Sequence, residues 1–248
     1  MKRMLMLLLL LSVLPLVGQE DECSHEGPYT AEFNIEACDF YNRYPTYSNP
    51  NPYFILEPGW QLVLEGEEDG EIVHLEITVL DEVEWVDGVW TRVIEEREWV
   101  DEELVEVSRN FFAACADTND IYYFGEDVDN YEDGEIINHN SAWRSGVNNA
   151  KAGLYMPGTI LLGARYYQEV APGVALDRAE IMEVGEIEVG EWVFENAVFT
   201  QESTDLDDPC SVGEKVFAPG IGLVQDESLE LVSAEFIFHL PDAVPFKR

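Results

Sequence analysis

Between Tyr53 and Phe238 the apolar residues come in short runs interleaved with polar ones, and no stretch of helical length carries a 3.6-residue period. Alternation is strict in Ile72–Leu80, where Val73, Leu75, Ile77 and Val79 share one face and His74, Glu76 and Thr78 share the other. A segment of this kind buries its apolar face only as part of a sheet. Val83–Val86 and Val89–Trp99 flank Asp87-Gly88, a dipeptide whose tolerance of positive φ suits a two-residue hairpin turn. Further runs follow at Leu104–Ala113, Ile121–Phe124, Glu135–His139, Gly163–Val170, Ala179–Val189, Glu191–Thr200, Glu214–Ala218, Gly222–Asp226 and Leu229–Phe238. With no helices between them to carry parallel crossovers, the runs predict an all-β fold, an antiparallel meander of about ten strands. So wide a sheet must curl, close or split to bury its apolar face, giving a strongly curved sheet or open barrel, with a two-sheet sandwich as the alternative.

Composition decides which partners such a sheet can have. The 248 residues are 46% hydrophobic and 12% aromatic, enough to fill a core despite a formal net charge of −38. Only 13 Lys and Arg stand against 51 Asp and Glu, and the basic residues are scattered, which excludes a nucleic-acid binder and disfavours anionic membrane surfaces. The acidic runs Glu65–Glu71, Glu95–Glu98 and Asp101–Glu106 read as solvated strand edges and turns that resist pairing with a second molecule. Repulsion among so many carboxylates predicts a melting temperature that rises with salt.

The N-terminus sets the expected compartment. Met1-Lys2-Arg3, an apolar run from Met4 to Leu14 and Pro15-Leu16-Val17-Gly18 read as a signal peptide, residues 1–18, too short to span a bilayer. The expected location is therefore secreted or periplasmic. Residues 19–52 read as an irregular leader stapled by a disulfide, because Pro45, Pro50 and Pro52 forbid a regular ladder or helix near its end. Residues 53–240 form one all-β domain, and 241–248 a tail. In an oxidising compartment the four cysteines favour disulfides over a metal or a catalytic thiol. Of the alternative pairings, Cys23–Cys38 within the leader and Cys115–Cys210 between distant segments are preferred.

Candidate chemistry is sparse. Asp127, Asp129, Asp133 and Glu135 lie close together beside Gly134, as oxygen ligands of a calcium ion would. The helix-flanked calcium loop is a poor match, since Tyr131 takes a ligand position and Asn140 replaces the terminal Glu. The competing reading is an acidic hairpin loop joining Ile121–Phe124 to Glu135–His139. His25, His74, His139 and His239 share no metal-ligand spacing, and no nucleophile elbow, phosphate loop or dinucleotide fingerprint occurs. Ser141–Thr159 is long and apolar for a connection, so it reads as a plug over an open end of the sheet or as a lid. Trp60, Trp85, Trp90, Trp99, Trp143 and Trp192 either line a ligand cavity or fill the core.

Three segments carry a resemblance: Asn51-Pro52-Tyr53-Phe54-Ile55-Leu56-Glu57-Pro58-Gly59, Tyr122-Tyr123-Phe124-Gly125-Glu126-Asp127, and Val216-Phe217-Ala218-Pro219-Gly220-Ile221-Gly222-Leu223-Val224. With Met156–Gly158 and Tyr166–Gly173, they make the chain resemble a family of secreted bacterial all-β proteins over most of residues 50–233. The resemblance implies export and an all-β fold and brings no activity with it. Gly190-Glu191-Trp192-Val193-Phe194, with the later Ala-Pro-Gly-Ile-Gly segment, is similar to the endings of curved-sheet periplasmic lipid-carrier folds.

These features favour a non-enzymatic, exported β-protein that binds a small apolar ligand within its sheet or divalent cations such as calcium. A structural or interaction module of the cell envelope is the alternative, and an extracellular hydrolase using two carboxylates a second. No catalytic residue and no protein partner is named by the sequence.

Overall fold

The computed structural model describes residues 27–40, 51–204, 206 and 211–239. Residues 1–18, read above as a signal peptide, Cys23, Cys210 and residues 241–248 lie outside these residues. Apart from one short 3-10 turn at Ile35–Ala37, the regular structure is strand: β1 Trp60–Glu68, β2 Glu71–Val86, β3 Val89–Val100, β4 Glu103–Ala114, β5 Ile121–Glu132, β6 Glu135–Asn138, β7 Trp143–Arg144, β8 Lys151–Met156, β9 Arg165–Tyr167, β10 Glu169–Val170, β11 Asp177–Val189, β12 Trp192–Thr204, β13 Gly213–Ala218, β14 Gly222–Asp226 and β15 Leu229–Phe236. The expected all-β meander is therefore the fold. Asp87-Gly88 makes the expected hairpin turn, with φ of 46° and 84°.

All strand pairings are antiparallel, in the order β10-β8-β5-β4-β3-β2-β1-β15-β14-β13-β12-β11-β9, with β6 and β7 also paired to β5. The two ends of this path, β10 and β9, are separated in the chain by Gln168 alone. The 13 strands of the path thus form a nearly closed barrel with one seam, at which the chain steps from one edge to the other. Closure is tight there: a Cβ at Gly153 of β8 would run into the carbonyls of Tyr167 and Gln168.

The barrel interior holds the main core, with Leu64, Val79, Ile94, Phe112, Phe217 and Leu231 all buried. One end is closed by the segment after Asn51. The side chain of Phe54 packs on Phe112 and Tyr155, with ring centroids 4.8 and 4.9 Å away. The fully buried Asn51 amide donates to the carbonyls of Asn119 at 2.9 Å, Pro157 at 3.3 Å and Met156 at 3.4 Å. Gly220 N–H donates to the Pro52 carbonyl at 2.6 Å. One side chain and its neighbour thereby tie together the β4–β5 turn, the end of β8 and the β13–β14 turn.

A second, outer core explains why β4 and β5 read as unbroken apolar runs. Phe112 and Tyr123 face inward, whereas Phe111, Tyr122 and Phe124 face outward beneath a strap formed by the leader. Residues 29–36 of the strap alternate, with Tyr29, Ala31, Phe33 and Ile35 half-buried and Thr30, Glu32, Asn34 and Glu36 exposed. Thr30 adds a parallel bridge to Tyr166 of β9, and Phe40 bridges Cys115. The β2–β3 hairpin is offset by a register shift between Val79 and Val83 and contributes Val86 and Val89 to the same outer cluster.

Three expectations need correction. Cys38 is bonded to Cys115, so neither Cys23–Cys38 nor Cys115–Cys210 forms. The strap lies across the outer face of β4, which brings together two cysteines that are 77 residues apart. Ser141–Thr159 is neither plug nor lid, because it supplies β7 and β8 to the wall and the end is closed by the Asn51 segment instead. The acidic stretch after Phe124 is not a loop: β5 continues to Glu132 because its inward positions are Glu126, Val128 and Asn130, which pair with Asn110, Ser108 and Glu106 of β4. The Glu65–Glu71 run, by contrast, is made of the exposed strand ends and turn between β1 and β2, as expected.

Candidate functional site

Away from the Asn51 plug, the same alternation that buries the apolar core points charged side chains inward. Glu96 and Glu98 sit opposite Ile77 and Leu75, both packed on the core, and Lys215 shares a face with Phe217 two residues on. Lys215 Nζ lies 3.3 Å from Glu202 Oε2 and 3.4 Å from Asp226 Oδ2, linking β12, β13 and β14. Gln168, the residue that crosses the seam, donates from Nε2 to Glu202 Oε1 at 2.8 Å. Its neighbour Glu169 is 1% exposed and accepts the Asp177 N–H at 2.7 Å. The interior charges therefore also lock the seam.

Burial dominates the electrostatics. It pushes the Glu96 carboxyl up to about 7, with Lys215 opposing and Asp226, Glu106 and Glu98 adding repulsion. Burial pushes Glu126 up to about 8, against the pull of its hydrogen bond with Tyr123. The Glu169 and Glu202 carboxyls are raised for the same reason. Burial pulls the other way on Lys215, but Glu202, Asp226, Tyr155 and Glu96 together outweigh it and hold the ammonium well above its usual range. Lys215 is thus held as a cation among carboxylates, and the Glu96 and Glu126 carboxyls change charge close to neutral pH. The Tyr166 hydroxyl is buried and has no hydrogen-bond partner among the described residues.

Space beside this cluster is small. A cavity of about 60 Å³ is bounded by Lys215, Asp226 and Glu96 on one side and by apolar residues such as Phe54, Leu62 and Ile77 on the other. That is room for a few waters, well below the roughly 300 Å³ at which ligand pockets begin. Of the six tryptophans only Trp60 lines it, with Nε1 donating to the Ile221 carbonyl at 3.0 Å. Trp143 is buried edge-on to Tyr123, Trp99 packs beside His74, and Trp85, Trp90 and Trp192 are exposed. The carboxylates of Glu202 and Asp226 are bridged by Lys215 instead of facing each other across an open cleft.

The acidic residues singled out as calcium ligands are not gathered. Asp127 accepts two hydrogen bonds from Arg144, at 2.6 and 3.2 Å, and Asp129 lies 2.8 Å from His139. Asp133 forms the β5–β6 turn and Glu135 begins β6. Among the described residues no three His, Cys, Asp or Glu side chains form a metal-holding group. The interior cluster escaped the sequence reading, although the pattern Lys215-x-Phe217 within a β-like run was a signal that one lysine faces the core. Comparison with protein-family models, with curated proteins and with solved structures gives no match for this chain.

Proposed function

We propose that the protein is a non-enzymatic, exported β-barrel that serves as a structural or interaction module of the cell envelope and works through its outer surface. The observation that carries this reading is the small space beside the interior charges, a cavity of about 60 Å³ among the described residues, well below the size of a pocket for a small apolar ligand. Supporting it, the interior charges satisfy one another across the seam and between β12, β13 and β14, which is work done for the fold. The Cys38–Cys115 bond is compatible with an oxidising compartment. The dense negative charge keeps such a module soluble and apart from its own copies.

Native mass spectrometry of the protein purified from its own host, before and after chelation, tests the reading. The expected mass is that of the bare chain with its disulfides in both conditions. A stoichiometric small molecule, or a calcium ion lost on chelation, would overturn it in favour of a ligand carrier.

A further inference from the structure

Among the described residues, the outer surface contains a slot of ligand-binding size. A groove of about 500 Å³ runs between the strap and the tip of the β2–β3 hairpin, where Asp87, Gly88 and Val89 form the far wall. Its apolar lining comes from Phe33, Ile35, Phe40, Phe124 and Ala152. The polar lining is acidic in balance: Lys151 is already paired with Glu32, which leaves Glu36 and Asp87 as the excess charge. Asp87 is held in place by the Ser145 hydroxyl, which donates to its Oδ2 at 2.8 Å.

The near wall has a second property. Residues 31–33 of the strap alternate in burial as an extended chain does, and no backbone N–H or C=O of Ala31, Glu32 or Phe33 is hydrogen-bonded among the described residues. An extended chain with free backbone groups beside an apolar floor is the arrangement that accepts an added strand. We propose that this slot docks an extended segment of a partner protein in which basic and apolar residues alternate. Its backbone would pair with Ala31–Phe33, its apolar side chains would settle toward Phe124 and Ala152, and its basic side chains would reach Glu36 and Asp87. A second copy of this chain is a poor occupant, because its 51 acidic residues would meet an acidic rim. The nature of the partner rests on the reading of the protein as an interaction module.

The test is calorimetric titration of the full exported chain at about 0.15 M salt with the blocked peptide Val-Lys-Val-Lys-Val. Two control peptides replace lysine by glutamate or methylate alternate backbone amides. The lysine peptide is expected to saturate one site, with both controls about tenfold weaker. Glu36→Lys should weaken it about tenfold, whereas Glu71→Lys, at the opposite end of β2 from Asp87, should leave it unchanged, both variants melting as the parent does. Equal binding of the lysine and glutamate peptides, no effect of methylation, or equal loss in both variants would overturn the docking site. Failure of the peptide with a bare chain in native mass spectrometry would remove this site and leave the module reading in place.

Discussion

Raising the pH should destabilise this protein, against the usual behaviour of a carboxylate-rich chain. Glu96 and Glu126 are inside the barrel with carboxyls raised from the ordinary 4.5 to about 7 and about 8. A raised carboxyl binds its proton more tightly in the folded chain than in the unfolded one. The stability it contributes is complete below about pH 4.5 and is lost as the pH climbs through 7 to 8. At about 1.4 kcal/mol per pKa unit, ionisation costs the fold about 3 kcal/mol at Glu96 and about 5 kcal/mol at Glu126. The two are not additive, because Glu96 is among the charges that raise Glu126. The net expectation is a fall of about 3–5 kcal/mol between about pH 6 and pH 9, a window in which ordinary surface carboxylates no longer titrate. Urea unfolding at constant ionic strength, followed by tryptophan fluorescence, measures it. Glu126→Gln keeps the side-chain shape and a hydrogen bond to Tyr123 while removing the charge, so it should flatten the slope and stabilise the protein at the alkaline end. A stability that is flat or rising over that window, or a Gln variant with the parental slope, would refute the reasoning.

The Cys38–Cys115 bond closes a loop of 77 residues, for which chain entropy gives about 4.5 kcal/mol; the double variant Cys38→Ser/Cys115→Ser should lose about that much by denaturant melting and expose the strap to limited proteolysis. Lys215→Met leaves Glu202 and Asp226 facing each other without their cation, so a loss of about 3–5 kcal/mol is expected at neutral pH, with partial recovery when Glu202→Gln is added. Asn51→Ala strands the carbonyls of Asn119, Met156 and Pro157, and should cost about 2–3 kcal/mol, read as a lower melting temperature. A melting temperature unaffected by molar salt would argue against the repulsion assigned to the acidic surface.

The strands were legible wherever one face is apolar and the other polar, as in Ile72–Leu80, because period two leaves only one way to bury them. They were illegible where inward positions are charged. The part of β5 from Glu126 to Glu132 read as a loop because acidic residues ordinarily mark solvent, and only the closed barrel shows what else its positions face. Likewise β7 and β8 are short strands that pair with β5, β8 also with β10, and such pairing is written in no local pattern.

By itself the sequence determined that this chain is all-β and antiparallel, and that its surface is overwhelmingly anionic, since alternation, turn residues and charge are properties of neighbouring positions; the choice of a curved barrel over a two-sheet sandwich came from the structure. Tertiary structure alone decided that Cys38 meets Cys115, that Asn51 seals one end, that Lys215 sits among carboxylates, and that a slot opens beneath the strap. Each of these joins residues from distant strands, and their meeting depends on sheet order and register, which emerge only when the whole barrel closes.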